Sequence, residues 1–180
     1  MDSQLTLHIV RGLPGTGKTT FVQRTYPGML QIENDQVWVT PDGKYEYIEE
    51  GDPRGRVRDY VRAMVTTAMK QKVNIAVSRV GCSIGSVKEL VELAEAHGYK
   101  YRIYLMDPDN LKHFKNVHDV PDEALKSMKE HFVFQLPYWQ TLVTIHENVD
   151  KCTGAKSYHP IYNTVMPKAS TNTGEEGCSQ

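Results

Sequence analysis

The sequence predicts an α/β fold in which a parallel sheet is flanked by helices on both sides. Three observations carry this. Short β-type apolar runs alternate with segments of helical period along most of the chain. A glycine-rich loop at residues 12–19 stands between the first such run and the first helical segment. Gly98 and Pro121 fall where a helix must stop and where another must start.

The elements follow in chain order. Leu5–Arg11 reads as the first strand. Gly12-Leu13-Pro14-Gly15-Thr16-Gly17-Lys18-Thr19 then completes a phosphate-binding loop, with Thr20 continuing it. Its glycines let successive N–H groups point at one phosphate chain. Lys18 is placed to reach the β- and γ-phosphates of ATP, and the Thr19 hydroxyl to hold Mg²⁺. The helix predicted over residues 19–24 adds its N-terminal dipole to this anion site. Further strands are expected at Met29–Glu33, Val73–Ser78, Tyr99–Met106 and Thr141–His146. Asp42-Gly43, between Val37–Thr40 and Tyr45–Tyr47, predicts a small hairpin or loop after the second strand.

Val57, Val61, Met64 and Ala68 form one face of a helix beginning near Gly55. Ile84, Val87, Val91 and Ala94 form the face of the next, and His97 fits its C-terminus. Pro121, Asp122 and Glu123 open a last helix with Leu125, Met128 and Phe132 inward. Ligands of such a sheet bind at the strand C-terminal ends.

Composition sets bounds. At 180 residues the chain is most simply one domain, expected over residues 1–166, with a disordered Ser/Thr/Gly/Glu-rich tail at 167–180. No apolar run reaches membrane-span length, and the N-terminus lacks a signal-peptide pattern. Cys82, Cys152 and Cys178 lack metal-ligand spacing and read as free thiols in a reducing cytoplasm, which is host cytoplasm if the source is viral. No histidine has ligand spacing either, and Cys82 has no evident partner base. A net charge of −1 leaves nucleic-acid contact to local patches.

Asp35 follows the second strand, where a carboxylate can accept the proton of an attacking hydroxyl during phosphoryl transfer. A turn or helix cap at Asn34-Asp35 is the equal alternative. Arg54, Arg56, Arg58 and Arg62 form one basic cluster, and Lys112, His113, Lys115 and His118 another. Each is either a solvated face or a set of phosphate contacts. Trp38, Tyr45 and Tyr47 either stack on a base or form an apolar cluster under a loop, while Tyr138 and Trp139 read as core or edge packing.

Val10 to Thr20, together with Asp35, resembles the kinase domain of phage polynucleotide kinase and its short P-loop relatives. Lys115-Asn116-Val117-His118-Asp119-Val120-Pro121 is similar to that family's helical lid, and the likeness spans residues 6–134. Asp42–Tyr45 and Glu92–Tyr99 also look like pieces of these relatives. The resemblance implies Asp35 as general base and Lys115 as a clamp on the ATP phosphates. Two departures stand out: Phe114 replaces a lid cation, and Arg79-Val80-Gly81, following Ser78, replaces the family's acidic motif at the end of strand three. Arg79 is therefore a candidate to neutralise a phosphate of the nucleotide or the acceptor.

The resemblance implies a kinase using ATP and Mg²⁺, with a nucleic-acid 5′-hydroxyl as acceptor. The alternatives are a hydroxymethyl-pyrimidine in phage DNA modification, a nucleoside or other small metabolite, and a non-catalytic ATP-binding or NTPase switch module. Oligomeric state is not legible in the sequence.

Overall fold

A computed structural model describes residues 4–106, 121–133, 136, 141–149 and 156–161, the last two ranges as strand backbone. Six strands form one sheet: β1 (Thr6–Arg11), β2 (Leu30–Glu33), β3 (Ile75–Arg79), β4 (Lys100–Met106), β5 (Thr141–Val149) and β6 (Lys156–Ile161). Their order is β2-β3-β1-β4-β5-β6. The first five run parallel and β6 is antiparallel to β5. The four α-helices are α1 (Lys18–Thr25), α2 (Pro53–Lys70), α3 (Ile84–Ala96) and α4 (Asp122–Glu130), and a 3-10 helix, η1, covers Asn34–Trp38.

Strand alternation sends β1 side chains to two cores. Leu7 and Ile9 join Val61, Val65, Val87 and Leu90 on the α2/α3 face. Val10 packs with Phe21 and Val22 of α1 on the opposite face, beside Tyr104 and Met106 of β4. Each fully buried aliphatic side chain contributes roughly 1.5–3 kcal/mol by leaving water. The sheet therefore fixes the end of β1, and with it the loop that follows.

Several details differ from the sequence reading. β3 starts two residues later than expected, because Lys72 (φ 56°) turns the chain and Val73 stays partly exposed. In α2 the buried stripe runs through Val61, Val65, Ala68 and Met69, and Met64 faces outward. The spacing admitted either register, and burial of Val65 decides it. Phe132 is buried, but it lies beyond α4, none of whose residues is buried. β6 was not expected, since Pro160 interrupts its apolar pattern; on an edge strand a proline is tolerated. The expected hairpin is present as an antiparallel bridge between Val39 and Tyr45. The lid segment, the second basic cluster, Tyr138, Trp139, Cys152, Cys178 and the tail lie outside the described residues.

On the α1 face His8 is 5% exposed, its Nδ1 3.2 Å from the Tyr104 hydroxyl and its ring 4.3 Å from that of Tyr26. Burial, helped by the Arg102 charge, pushes its pKa down to about 4. The unfolded chain takes up this proton near pH 6.5, whereas the fold resists it until about pH 4. Stability from this group is therefore lost as pH falls through that window, by about 3 kcal/mol in full. Urea unfolding at pH 7 and pH 4 checks this: His8→Phe should lose distinctly less stability on acidification than the parent.

Candidate active site

The loop between β1 and α1 is closed by its own backbone and side chains. A Cβ on Gly12 would lie 2.7 Å from Thr16 Oγ1 and 2.8 Å from Met106 Cβ, so only glycine fits. Gly15 and Gly17 take φ of 77° and 83°, in the left-handed region. Thr16 is buried and its hydroxyl donates to Leu13 O at 2.8 Å, while Pro14 is half-buried beside it. α1 opens on Gly17 with no side chain capping it and no acidic residue in its first turn. The N–H groups of that turn are thus left to an anion. Thr19 is exposed there and Thr20 half-buried.

Lys18 folds back over this cradle. Its ammonium donates to Gly12 O at 2.9 Å and Leu13 O at 2.8 Å. Burial lowers its pKa to about 8, an effect opposed by the nearby charges of Asp35, Glu33 and Cys82. The carboxylate at the end of β2 and the one in η1 therefore both lie within electrostatic reach of the loop lysine. Helix capping here belongs to Glu33, which makes a reciprocal capping box with Gln36. The cap offered as the alternative reading of Asp35 is thus supplied by its neighbour, and Asp35 sits half-buried in the first turn of η1.

A cavity of about 530 Å³ adjoins η1 and the N-termini of α2 and α3. Its lining includes Asn34, Trp38, Arg54, Arg58, Arg79 and Glu89. Arg79 is no solvated surface residue. Its Nη1 donates to Ser86 O at 2.9 Å, burial depresses its pKa against the pull of Glu89, and its Nε has no hydrogen-bond partner among the described residues. Asn34 Oδ1 is likewise buried without one. An unsatisfied donor and an unsatisfied acceptor thus belong to residues lining one cavity.

The first basic cluster splits. Arg54 and Arg58 line the cavity, Arg56 lies 5.7 Å over the Trp38 ring, and Arg62 pairs with Glu89 at the surface. Trp38 is buried with Tyr47 edge-on at 4.9 Å, so these two form the apolar cluster and also reach the cavity wall. Lys115 lies outside the described residues. Cys82 carries a raised thiol pKa, from burial, against the lowering influence of Arg11 and Lys18. His97 caps α3, its Nδ1 2.9 Å from Leu93 O. Sequence reasoning gave Glu33 and Glu89 no part in the site and read Asn34 only as part of a turn or cap. Glu33 and Asn34 directly precede the chosen Asp35, which was the available signal.

The cradle fits the phosphates of a nucleotide. For Mg²⁺ the fit is of another kind. Among the described residues no group of three His, Cys, Asp or Glu side chains could hold a metal by itself. An ion that arrives on the phosphates and keeps most of its waters does not need such a group.

A loop of this form, at the C-terminal end of a central parallel strand, defines a P-loop kinase-type domain. The AAA domain family matches residues 7–135, and the chain belongs to that family. Human NEDD4-binding protein 2 is 28% identical over 141 residues, covering 71% of this chain but 8% of that protein. Among solved structures, a chain of the Pnkp1/Rnl/Hen1 RNA repair complex superposes with a TM-score of 0.57 at 18% identity, over 73% of this chain and 45% of its own. A chain of the AvrRxo1-ORF1:AvrRxo1-ORF2 complex with sulphate ions gives 0.54 at 14% identity, over 87% and 58%. This chain therefore spans a minor part of the curated relative and about half of each structural one. No helix among the described residues is long and apolar enough to cross a membrane.

Proposed function

We propose that the protein is an ATP-dependent kinase that transfers the γ-phosphoryl group to a hydroxyl of a nucleic-acid acceptor, in the manner of a polynucleotide 5′-hydroxyl kinase. One observation carries this reading. Asp35 acts electrostatically on the loop lysine, while Asn34 beside it lines a cavity that also holds Arg54, Arg58 and Arg79. On this reading Asp35 is the general base, next in the chain to a residue that lines the guanidinium-rich pocket.

In the reaction, Lys18 leaves the loop carbonyls and, with the α1 N–H groups, stabilises charge on the transferring phosphate. Asp35 takes the proton of the acceptor hydroxyl as its oxygen bonds to the γ-phosphorus. The bond to the β,γ-bridging oxygen breaks and ADP leaves. Mg²⁺, when bound through Thr19, supplies charge neutralisation on the phosphates. Arg79, Arg54 and Arg58 bind a phosphodiester of the acceptor, and Trp38 with Tyr47 offers an aromatic wall to a base. Lys115, by resemblance to the lid of polynucleotide kinases, clamps the ATP phosphates. Residues 1–166 form the working domain.

Labelled ATP tested against 5′-hydroxyl oligonucleotides, hydroxymethylated duplex DNA and free nucleosides separates the acceptor classes. The oligonucleotide should be preferred, and its KM should climb with added salt as phosphate contacts are screened. Arg79→Ala should raise that KM roughly tenfold or more, with little change in kcat, through loss of a charge-assisted hydrogen bond. Equal turnover of nucleosides without a salt effect would overturn the nucleic-acid assignment. ATP hydrolysis with every acceptor ignored would instead identify an NTPase switch, which the arginine in place of an acid at the end of β3 favours.

A further inference from the structure

Arg11, the last residue of β1, is fully buried and is the largest of the fully buried side chains. Its Nη2 donates to Gly81 O at 2.7 Å and to Val133 O at 2.5 Å. The guanidinium lies 4.6 Å over the Phe132 ring. Its Nε and Nη1 have no hydrogen-bond partner among the described residues, and none of the ion pairs there includes it. Burial depresses its pKa to about 10, opposed only in part by the neighbouring Cys82. An apolar residue of similar volume would satisfy the core more cheaply. Stability alone is therefore a poor reason for an arginine here.

The reason lies in what the two carbonyls belong to. Gly81 follows Val80, whose carbonyl accepts the Gly12 N–H at 3.2 Å. Val133 returns its own N–H to Cys82 O at 2.9 Å. Gly81 has φ of 61°, and a Cβ there would come within 3.2 Å of Arg11 Cβ. Leu13 of the loop packs in one cluster with Leu105 and Phe132. Arg11 thus fastens the turn after β3 and the segment after α4 to the base of the phosphate loop. Lys18 also braces that loop, through Gly12 O and Leu13 O, but must release both to meet a phosphate. Once it does, Arg11 is the cation that remains.

We propose that Arg11 is a positioning residue for nucleotide binding: a buried latch that keeps the Gly81 turn and the Phe132–Val133 segment seated under the phosphate loop after Lys18 has turned to its ligand. The proposal rests on the phosphate-loop reading of Lys18. Arg11→Met removes the charge and the fork at similar volume, and Arg11→Lys keeps the charge but not the fork. Amide hydrogen exchange in the nucleotide-free protein reads the latch directly. In folded Arg11→Met the Val133 and Gly12 amides should exchange roughly tenfold faster, while the amides of α3 keep their rates. The ATP Kd should rise by a similar factor, with Arg11→Lys between the two. Unchanged Val133 exchange and an unchanged Kd in a folded variant would overturn the latch, and Arg11→Lys settles it if Arg11→Met does not fold. Failure of the parent protein to bind ATP would defeat the phosphate-loop reading instead, with the exchange rates still deciding the latch.

Discussion

Lys18→Met should lower phosphoryl transfer by roughly 10³-fold while leaving the fold intact. The ammonium is the mobile charge of the site. It is held by two carbonyls that a phosphate can replace, and methionine keeps a similar unbranched stem. Its depressed pKa adds a signature that simple loss of a contact would not have. In the nucleotide-free protein the group loses its proton near pH 8, whereas a bound polyphosphate holds it protonated. Above pH 8, binding must therefore take up a proton, and ATP affinity should fall roughly tenfold per pH unit. In Lys18→Met this dependence should vanish. A calorimetric titration at pH 7, 8 and 9 in two buffers of different ionisation enthalpy measures both the affinity and the proton uptake.

The second large effect falls on Asp35. Asp35→Asn should reduce kcat by roughly 10²–10⁴-fold without weakening ATP binding, because the amide keeps the shape but cannot accept the proton. Losing the carboxylate removes a negative charge facing the incoming phosphates, so affinity should hold or improve. Glu33→Gln supplies the contrast. Glu33 also acts on Lys18, but its side chain makes the capping box of η1, so its loss should show first in stability. Were Asp35→Asn to transfer phosphate at the parent rate, with Glu33→Gln inactive, the base would be the residue at the end of β2.

Much of this arrangement is legible in the sequence. The glycine spacing at residues 12–17 admits few backbones, and the contact a Cβ on Gly12 would make with Thr16 and Met106 is the packing reason. The alternation of strands and helices also fixed the layers. Position within a helix face was less legible: Met64 and Val65 are both apolar, and only the neighbouring core selects Val65. β6 was missed because an edge strand needs neither a continuous apolar run nor freedom from proline. Arg11 was passed over because a strand-end arginine usually points to solvent. Its burial depends on two carbonyls, Gly81 and Val133, that are 70 and 122 residues away in the chain. Asn34 and Glu89 share a cavity wall only because η1 and α3 converge, which no local pattern encodes.

In the proposed function the phosphate cradle, Asp35 and the guanidinium-lined cavity together hand a γ-phosphoryl group to an acceptor hydroxyl. A single-turnover reaction with γ-labelled ATP tests it most directly, using one oligonucleotide ending in a 5′-hydroxyl and its counterpart already carrying a 5′-phosphate. The label should move to the 5′ end of the first and to neither end of the second, and Asp35→Asn should slow the transfer by roughly 10²–10⁴-fold. Label released only as inorganic phosphate, or left on ATP beside both oligonucleotides, would contradict the account.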